Sequence, residues 1–250
     1  NEVISFRIVG VTSANLDKLS VDFSAEELEL NQKVVAINTE KTAIKIVTAT
    51  SEFIADFVVS TIPPQLMVNT VQFNPKLPQS LVQIANNTHT WMKDSIKFAI
   101  VYKTPFWREK GFSGVCFSNV GPFTEVYDHS NFKNNQFALM GFLNNALANE
   151  TKESREEKII QQLSQFFGED TKKYLSYAEK IWNKEELLSF KNDTFLRPRF
   201  NNGHAIYQQE FLSGKFIVAG SETSPRYGGY MEGAIYRGNQ IVTHLENKFQ

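Results

Sequence analysis

Near the C-terminal end, two neighbouring runs hold residue types that chemistry needs at close spacing. They are Phe216-Ile217-Val218-Ala219-Gly220-Ser221-Glu222-Thr223 and Tyr227-Gly228-Gly229-Tyr230-Met231-Glu232-Gly233-Ala234. The first reads as a buried strand delivering a glycine turn and a carboxylate. The second reads as a loop entering a helix through paired glycines. Lacking a Cβ, Gly228 and Gly229 let a flat ligand approach the backbone. The N–H groups at the helix start, that of Met231 among them, sit at the positive end of the helix dipole and favour developing negative charge. Glu222 can accept hydrogen bonds from sugar-like hydroxyls, and Tyr230 stands at such a ligand's edge. Each has a plain structural reading too: Tyr230 packs on the helix start, and Glu222 caps local N–H groups.

The elements that must hold these runs are partly visible in the hydrophobic pattern. Leu28–Leu30, Val34–Ile37, Ala43–Val47 and Phe53–Val59 read as strands with short polar connections, which suggests a meander beside a sheet. Pro63 and Pro64 end the last of them. Pro78 opens a helix over 79–85. Ile96, Phe98, Ile100 and Tyr102 alternate with Lys97, Ala99, Val101 and Lys103 in a long strand, and Val115–Phe117, Glu125–Tyr127 and Phe137–Met140 predict three more. Residues 153–167 predict an amphipathic helix ended by Gly168. Residues 228–249 predict another, with Ala234, Ile241, Val242 and Leu245 as its apolar face. The mixture is α/β or mixed α+β, with a central block inserted between two parts of another unit.

Composition narrows the function classes. The 250 residues carry 26 Lys+Arg against 27 Asp+Glu, a formal net charge of −1, which argues against gripping nucleic acid or an anionic membrane. One cysteine excludes an intrachain disulfide and a cysteine-rich zinc site, and four scattered histidines suggest no metal site. A reducing, cytoplasmic compartment is expected. Asp128-His129-Ser130 holds three triad residue types, but on a strand His129 points away from the other two, so they form no relay. Phosphate-loop, zinc-helix and nucleophile-elbow motifs are absent from the sequence, as is a dinucleotide fingerprint: the 228–233 run has Tyr230 where its second glycine belongs.

The Ala-Gly-x-Glu-Thr run at 219–223 and the Gly-Tyr-Met-Glu-Gly-Ala run at 229–234 resemble the C-terminal flavin-binding signature of the FAD-dependent amine oxidases, the monoamine and polyamine oxidases among them. Further matches follow in the family's order. Leu30–Ile37 is similar to the strand whose valine backbone meets the adenine, which places that role at Val34. Residues 55–64 resemble its second cofactor-side strand. Ile96-Lys97, followed by Tyr102-Lys103-Thr104-Pro105-Phe106-Trp107, resembles the stretch whose lysine holds a water against flavin N5. Trp182 with Glu185 is similar to the family's Trp-x-x-Glu beside the isoalloxazine. On composition alone, Lys97 is a surface lysine and Trp182 a core aromatic.

The resemblance implies a partial two-domain flavoprotein fold: residues 1–86 and 197–250 as parts of an FAD-binding domain, residues 87–196 as part of a substrate domain. It implies oxidative deamination of a small amine, with FAD accepting the hydride and O2 reoxidising it. Lys97 and Tyr230 would serve catalysis, while Val34, Trp182, Gly220, Glu222, Gly229 and Met231 would hold the cofactor. Tyr230 and Phe195 would meet substrate, Phe195 standing where the family has a second cage tyrosine. Val11 departs from the family's paired glycine. No cysteine follows Trp182, so the flavin is expected to be non-covalent. The resemblance covers the C-terminal half of the family and lacks the pyrophosphate fingerprint, so stoichiometric FAD and amine turnover are not expected of these residues alone. Uncovered apolar surfaces are expected to drive self-association. Alternative readings are a flavin-free binding module or truncated fragment, and a desaturase- or protoporphyrinogen-oxidase-like flavoenzyme.

Overall fold

The computed structural model describes residues 12–24, 26–188, 190 and 196–250. A short helix, α1 (Ser13–Ser20), comes first. The expected meander follows as β1 (Val34–Thr39), β2 (Ile44–Thr48) and β3 (Glu52–Ala55), paired antiparallel. Thr48 closes the second of its turns: its N–H donates to the Ser51 carbonyl at 2.9 Å, and its Oγ1 accepts from Ser51 N–H at 2.9 Å. Leu28 and Leu30, expected in a strand, lie outside any strand and are exposed.

The Phe53–Val59 run is two strands rather than one. After β3 the chain leaves the meander, and β4 (Val58–Ser60) enters a different sheet, where Val58 N–H donates to the Lys215 carbonyl at 2.8 Å. A continuous apolar run carries no mark of a change of partner, since each half satisfies the same pattern. Pro64 then starts α2 (Pro64–Thr70), so the residues that end the strand also open a helix. β5 (Gln72–Asn74) pairs parallel with β1, and α3 (Gln79–Asn86) follows Pro78 as expected.

β6 (Ile96–Tyr102) keeps strict alternation, burying Ile96, Phe98, Ile100 and Tyr102. After α4 (Phe106–Glu109) come β7 (Cys116–Phe117), β8 (Phe123–Asp128) and β9 (Phe137–Leu143), each overlapping an expected strand. Thr151 caps α5 (Lys152–Phe167), its side chain accepting from Ser154 N–H at 3.2 Å, and Gly168 ends it at φ +85°. β10 (Tyr174–Ile181) pairs antiparallel with β6 at one edge of the sheet. β11 (Glu210–Phe211), β12 (Phe216–Val218) and α6 (Met231–Phe249) complete the chain.

The chain forms two compact units. One comprises residues 94–182 with the described part of 1–28; the other comprises 29–93 and 183–250. The sequence-based boundaries, after 86 and after 196, both fall inside the second unit. The first unit holds the five-stranded antiparallel sheet, ordered β10-β6-β9-β8-β7. Ile159 and Leu163 of α5 join Phe98, Ile100, Trp107, Phe123 and Leu139 in its core. The second holds a four-stranded sheet, β3-β2-β1-β5, and a three-stranded one, β11-β12-β4. Its main core joins Ile37, Ile44, Met67 and Leu81 to Tyr207, Phe211 and Phe216.

The last helix corrects the expected face. α6 begins at Met231 rather than 228, and its buried residues are Gly233, Arg237 and Ile241, with Leu245 partly covered. Ala234 and Val242 are exposed. The buried row advances by four residues per step, and it was hidden because a charged residue occupies its middle. Arg237 is only 4% exposed; it donates to the Tyr207 carbonyl at 2.6 Å and to Gln208 Oε1 at 2.5 Å, and burial pushes its pKa down.

Candidate functional site

In the second unit, β4 and β12 run parallel with Val218 opposite Ser60, and Ala219 N–H donates to the Ser60 carbonyl at 2.7 Å. Both strands release their chains at the same, carboxyl end. That is where open α/β sheets leave room for ligands, because the outgoing connections diverge there. Gly220 turns the chain at φ +120°, and a Cβ on it would lie 3.3 Å from the Thr61 carbonyl oxygen. A single 3-10 turn, Ser221–Thr223, follows and buries Glu222. The Glu222 carboxylate accepts from Ser221 Oγ at 2.9 Å, while its carbonyl accepts from Gly203 N–H at 2.8 Å. The Ser60 hydroxyl, buried at the end of β4, has no hydrogen-bond partner among the described residues.

Gly229 N–H donates to the Ser221 carbonyl at 3.0 Å, which joins the Gly220 turn to the start of α6. The sequence assigns the glycine pair to the approach of a flat ligand; on the side where a Cβ would stand, each of the two meets the chain itself. A Cβ on Gly228 would stand 2.9 Å from Asn202 Cβ, and one on Gly229 3.0 Å from Asn202 Nδ2 and 3.6 Å from Trp91 Cβ. Gly229 also lies at φ +81°, and a Cβ on Gly233 would meet the Tyr227 carbonyl at 2.2 Å. These glycines let the loop close on its own backbone.

The helix start keeps its expected polarity. Tyr230 is the N-cap residue, with extended backbone (φ −104°, ψ 161°), and its side chain caps nothing. Met231, the first helical residue, is exposed, so the first-turn donors are not covered by a capping side chain. The Tyr230 hydroxyl accepts a hydrogen bond from Arg199. The Arg199 guanidinium carbon lies 4.3 Å from the Tyr230 ring centroid and 5.4 Å from that of Trp91. Trp91, Arg199 and Asn202 were not singled out from sequence. Trp91 is separated from the helix start by more than a hundred residues, and no local spacing signals the encounter.

Val34 opens β1 opposite Thr48 and packs against the main core of this unit. Lys97 and Trp182 belong to the other unit. Lys97 projects from the face of β6 opposite the buried row, its Nζ 5.7 Å from the Phe142 ring centroid, with Lys180 as its cross-strand neighbour. Trp182 follows β10 and donates its N–H to the Ser95 carbonyl at 3.1 Å. Its ring carries the Lys180 ammonium 5.6 Å from the centroid, and its buried indole Nε1 has no partner among the described residues. Phe195 and Val11 lie outside the described residues. Asp128 has a structural task, accepting from Trp107 Nε1 at 2.8 Å and Arg108 Nε at 2.6 Å. Among the described residues no group of His, Cys, Asp and Glu could hold a metal ion.

Parallel strand ends beside a glycine turn, an uncapped helix start and, in the other unit, an antiparallel sheet define a mixed α/β fold. Solved structures agree at the level of fold. Cyclohexylamine oxidase from Brevibacterium oxydans superposes with a TM-score of 0.81 at 21% identity, covering 96% of this chain and 53% of that one. Wild-type putrescine oxidase bound to putrescine gives 0.77 at 22% identity, covering 94% and 52%. Residues 13–244 match the family described as flavin containing amine oxidoreductase, and this chain belongs to that family. Amine oxidase [flavin-containing] B of Canis lupus familiaris is 27% identical over 241 residues, which are 93% of this chain and 46% of that protein. The flavin-containing amine oxidase of Danio rerio is 28% identical over 223 residues, 86% of this chain and 42% of that protein. The chain thus spans about half the length of the relatives it matches.

Proposed function

We propose that this chain supplies the flavin-facing part of an FAD-dependent enzyme that oxidises a small amine with O2. The observation that carries the reading is the joint at which the carboxyl ends of β4 and β12, the Gly220 turn and the open start of α6 meet. An isoalloxazine gathers negative charge when it is reduced, and donors fixed at a helix start suit that charge without reorganising. The unpartnered Ser60 hydroxyl adds a polar group at the same strand end. These residues fit a flavin ring; none of the 250 supplies a dinucleotide fingerprint for its pyrophosphate.

A bound flavin would accept a hydride equivalent from the carbon bearing the amine and pass electrons on to O2. In this reading Gly220, Glu222, Gly229 and Met231 hold the cofactor on this side, and Val34 and Trp182 take the adenine-side and ring-side positions that the resemblance gives them. Lys97 positions water, Tyr230 meets substrate, and Phe195 is its aromatic partner. Attachment is non-covalent, since no cysteine follows Trp182. Self-association through exposed apolar surface and a cytoplasmic setting complete the proposal. Among the described residues no helix is long and apolar enough to cross a membrane.

The test is a flavin fluorescence titration of the purified chain with FAD and with lumiflavin, which lacks the pyrophosphate. Comparable weak binding of both is expected, because the contacts here address the ring. Met231→Pro removes one donor at the first helical position, which proline tolerates, and the extended Tyr230 before it is compatible with proline. The variant is expected to weaken both ligands about tenfold, the value of roughly 1.4 kcal/mol, with helix content unchanged. No response to either flavin, or equal affinity in Met231→Pro, refutes the placement.

A further inference from the structure

We infer that Arg199 sets substrate class, selecting amines that also carry a carboxylate over plain monoamines and diamines; this rests on the proposed site at Tyr230. An aromatic ring beside a flavin would serve a plain amine by offering its face to the nitrogen. In this chain that face is taken. The Arg199 guanidinium lies 4.3 Å from the Tyr230 centroid and 5.4 Å from Trp91, and it donates to the Tyr230 hydroxyl.

The arrangement is held by hydrogen bonds between segments 87–89 and 199–201. His89 N–H donates to the Phe200 carbonyl at 3.0 Å, Arg199 N–H to His89 Nδ1 at 3.3 Å, and Asn201 Nδ2 to the Asn87 carbonyl at 3.0 Å. Arg199 itself takes a left-handed φ of +60° within this lacing. Strain of that kind persists where the surroundings over-determine it.

The charge balance then decides what can enter. No carboxylate among the described residues pairs with Arg199: its side-chain contacts are the two rings and the tyrosine hydroxyl. The guanidinium offers five donors, of which the Tyr230 contact uses one. A substrate ammonium arriving here meets a like charge. A carboxylate borne by the same molecule meets a planar fork that can bind it with two parallel hydrogen bonds. Arg199 is therefore assigned as a specificity residue, with Trp91 and Tyr230 as the plates that orient it.

The experiment compares 4-aminobutyrate with butylamine, which differ by the carboxylate. Binding to the purified chain is read by quenching of Trp91 emission, with Trp91→Phe as the control that assigns the signal. Wild type is expected to bind 4-aminobutyrate at least tenfold more tightly, Arg199→Gln to erase the preference, and Arg199→Lys to restore part of it. Arg199 is exposed, so unchanged circular dichroism is expected in both variants. Butylamine binding equally well, the preference surviving Arg199→Gln, or neither compound reaching Trp91 overturns the assignment. A flavin titration of the same samples reports separately on the cofactor reading, so the two can fail independently.

Discussion

Asp128 shows how a residue that looks catalytic in a string of letters is spent on structure. Burial alone would raise its pKa, but hydrogen bonds from Arg108, Ser130 and Trp107 hold the carboxyl down at about 2, from an ordinary 3.8. The folded value is lower than the unfolded one, so as pH falls the unfolded chain takes up the proton first. The stabilisation is complete above about pH 4 and is lost as pH drops towards 2. Asp128→Asn is expected to cost about 1–2 kcal/mol at neutral pH, with the gap to wild type closing through that acid window. Urea melts at pH 7 and pH 3 check this; a pH-independent difference would assign the loss to packing. At this scale the sequence was informative where the residues are contiguous. The runs holding Gly220, Glu222 and Gly229 are joined by the Gly229 to Ser221 hydrogen bond, which spans only eight positions. Trp91, Arg199 and Asn202 come from distant segments and carry no local pattern, so the actual neighbours of Tyr230 and the glycines could not be read in advance.

Among the elements, β10 was the longest strand that the pattern did not announce, and its chemistry explains both the miss and its stability. It lies at a sheet edge with a register shift between Tyr174 and Ser176, which breaks the period of two. Its attachment is polar. Arg155 of α5 donates Nε to Glu179 Oε2 at 3.0 Å and makes a second, short bond to the other carboxylate oxygen, while Tyr177 donates to Glu179 at 2.6 Å. The paired side chains are 4% and 8% exposed. Removing one member leaves a buried charge uncompensated, so Glu179→Ala is expected to destabilise the first unit by about 3–5 kcal/mol. The double variant Arg155→Met/Glu179→Leu is expected to recover most of that, since apolar groups of similar size need no partner. Chemical denaturation of the three proteins gives the comparison; a double variant as unstable as the single one would show that β10 needs the charges themselves. Helix α5, by contrast, was legible in its apolar spacing and its Gly168 stop, because both are local signals.

For the whole molecule, the outer face of α6 bears most directly on assembly. Met231, Ile235 and Val242 are 60%, 60% and 55% exposed and lie at spacings of four and seven, hence along one side of the helix. The opposite side is the buried Gly233, Arg237 and Ile241 row. A helix with one row buried in its unit and an apolar stripe on the other side has more apolar surface than its own unit covers. Gly238, where a Cβ would meet no other part of the chain within 4 Å among the described residues, leaves the stripe open at its middle. Each exposed aliphatic residue buried in a contact contributes on the order of 1–2 kcal/mol, and a second copy of the stripe meets the first by a two-fold operation without further design. Self-association at micromolar concentration is therefore expected for the purified chain. Ile235→Glu/Val242→Glu is expected to shift the population to monomer while leaving the melting profile intact, because both positions face away from the buried row. Sedimentation velocity over a concentration series gives the answer: a wild-type chain that stays monomeric, or a double variant that associates as strongly as wild type, would show that this face has no role in assembly.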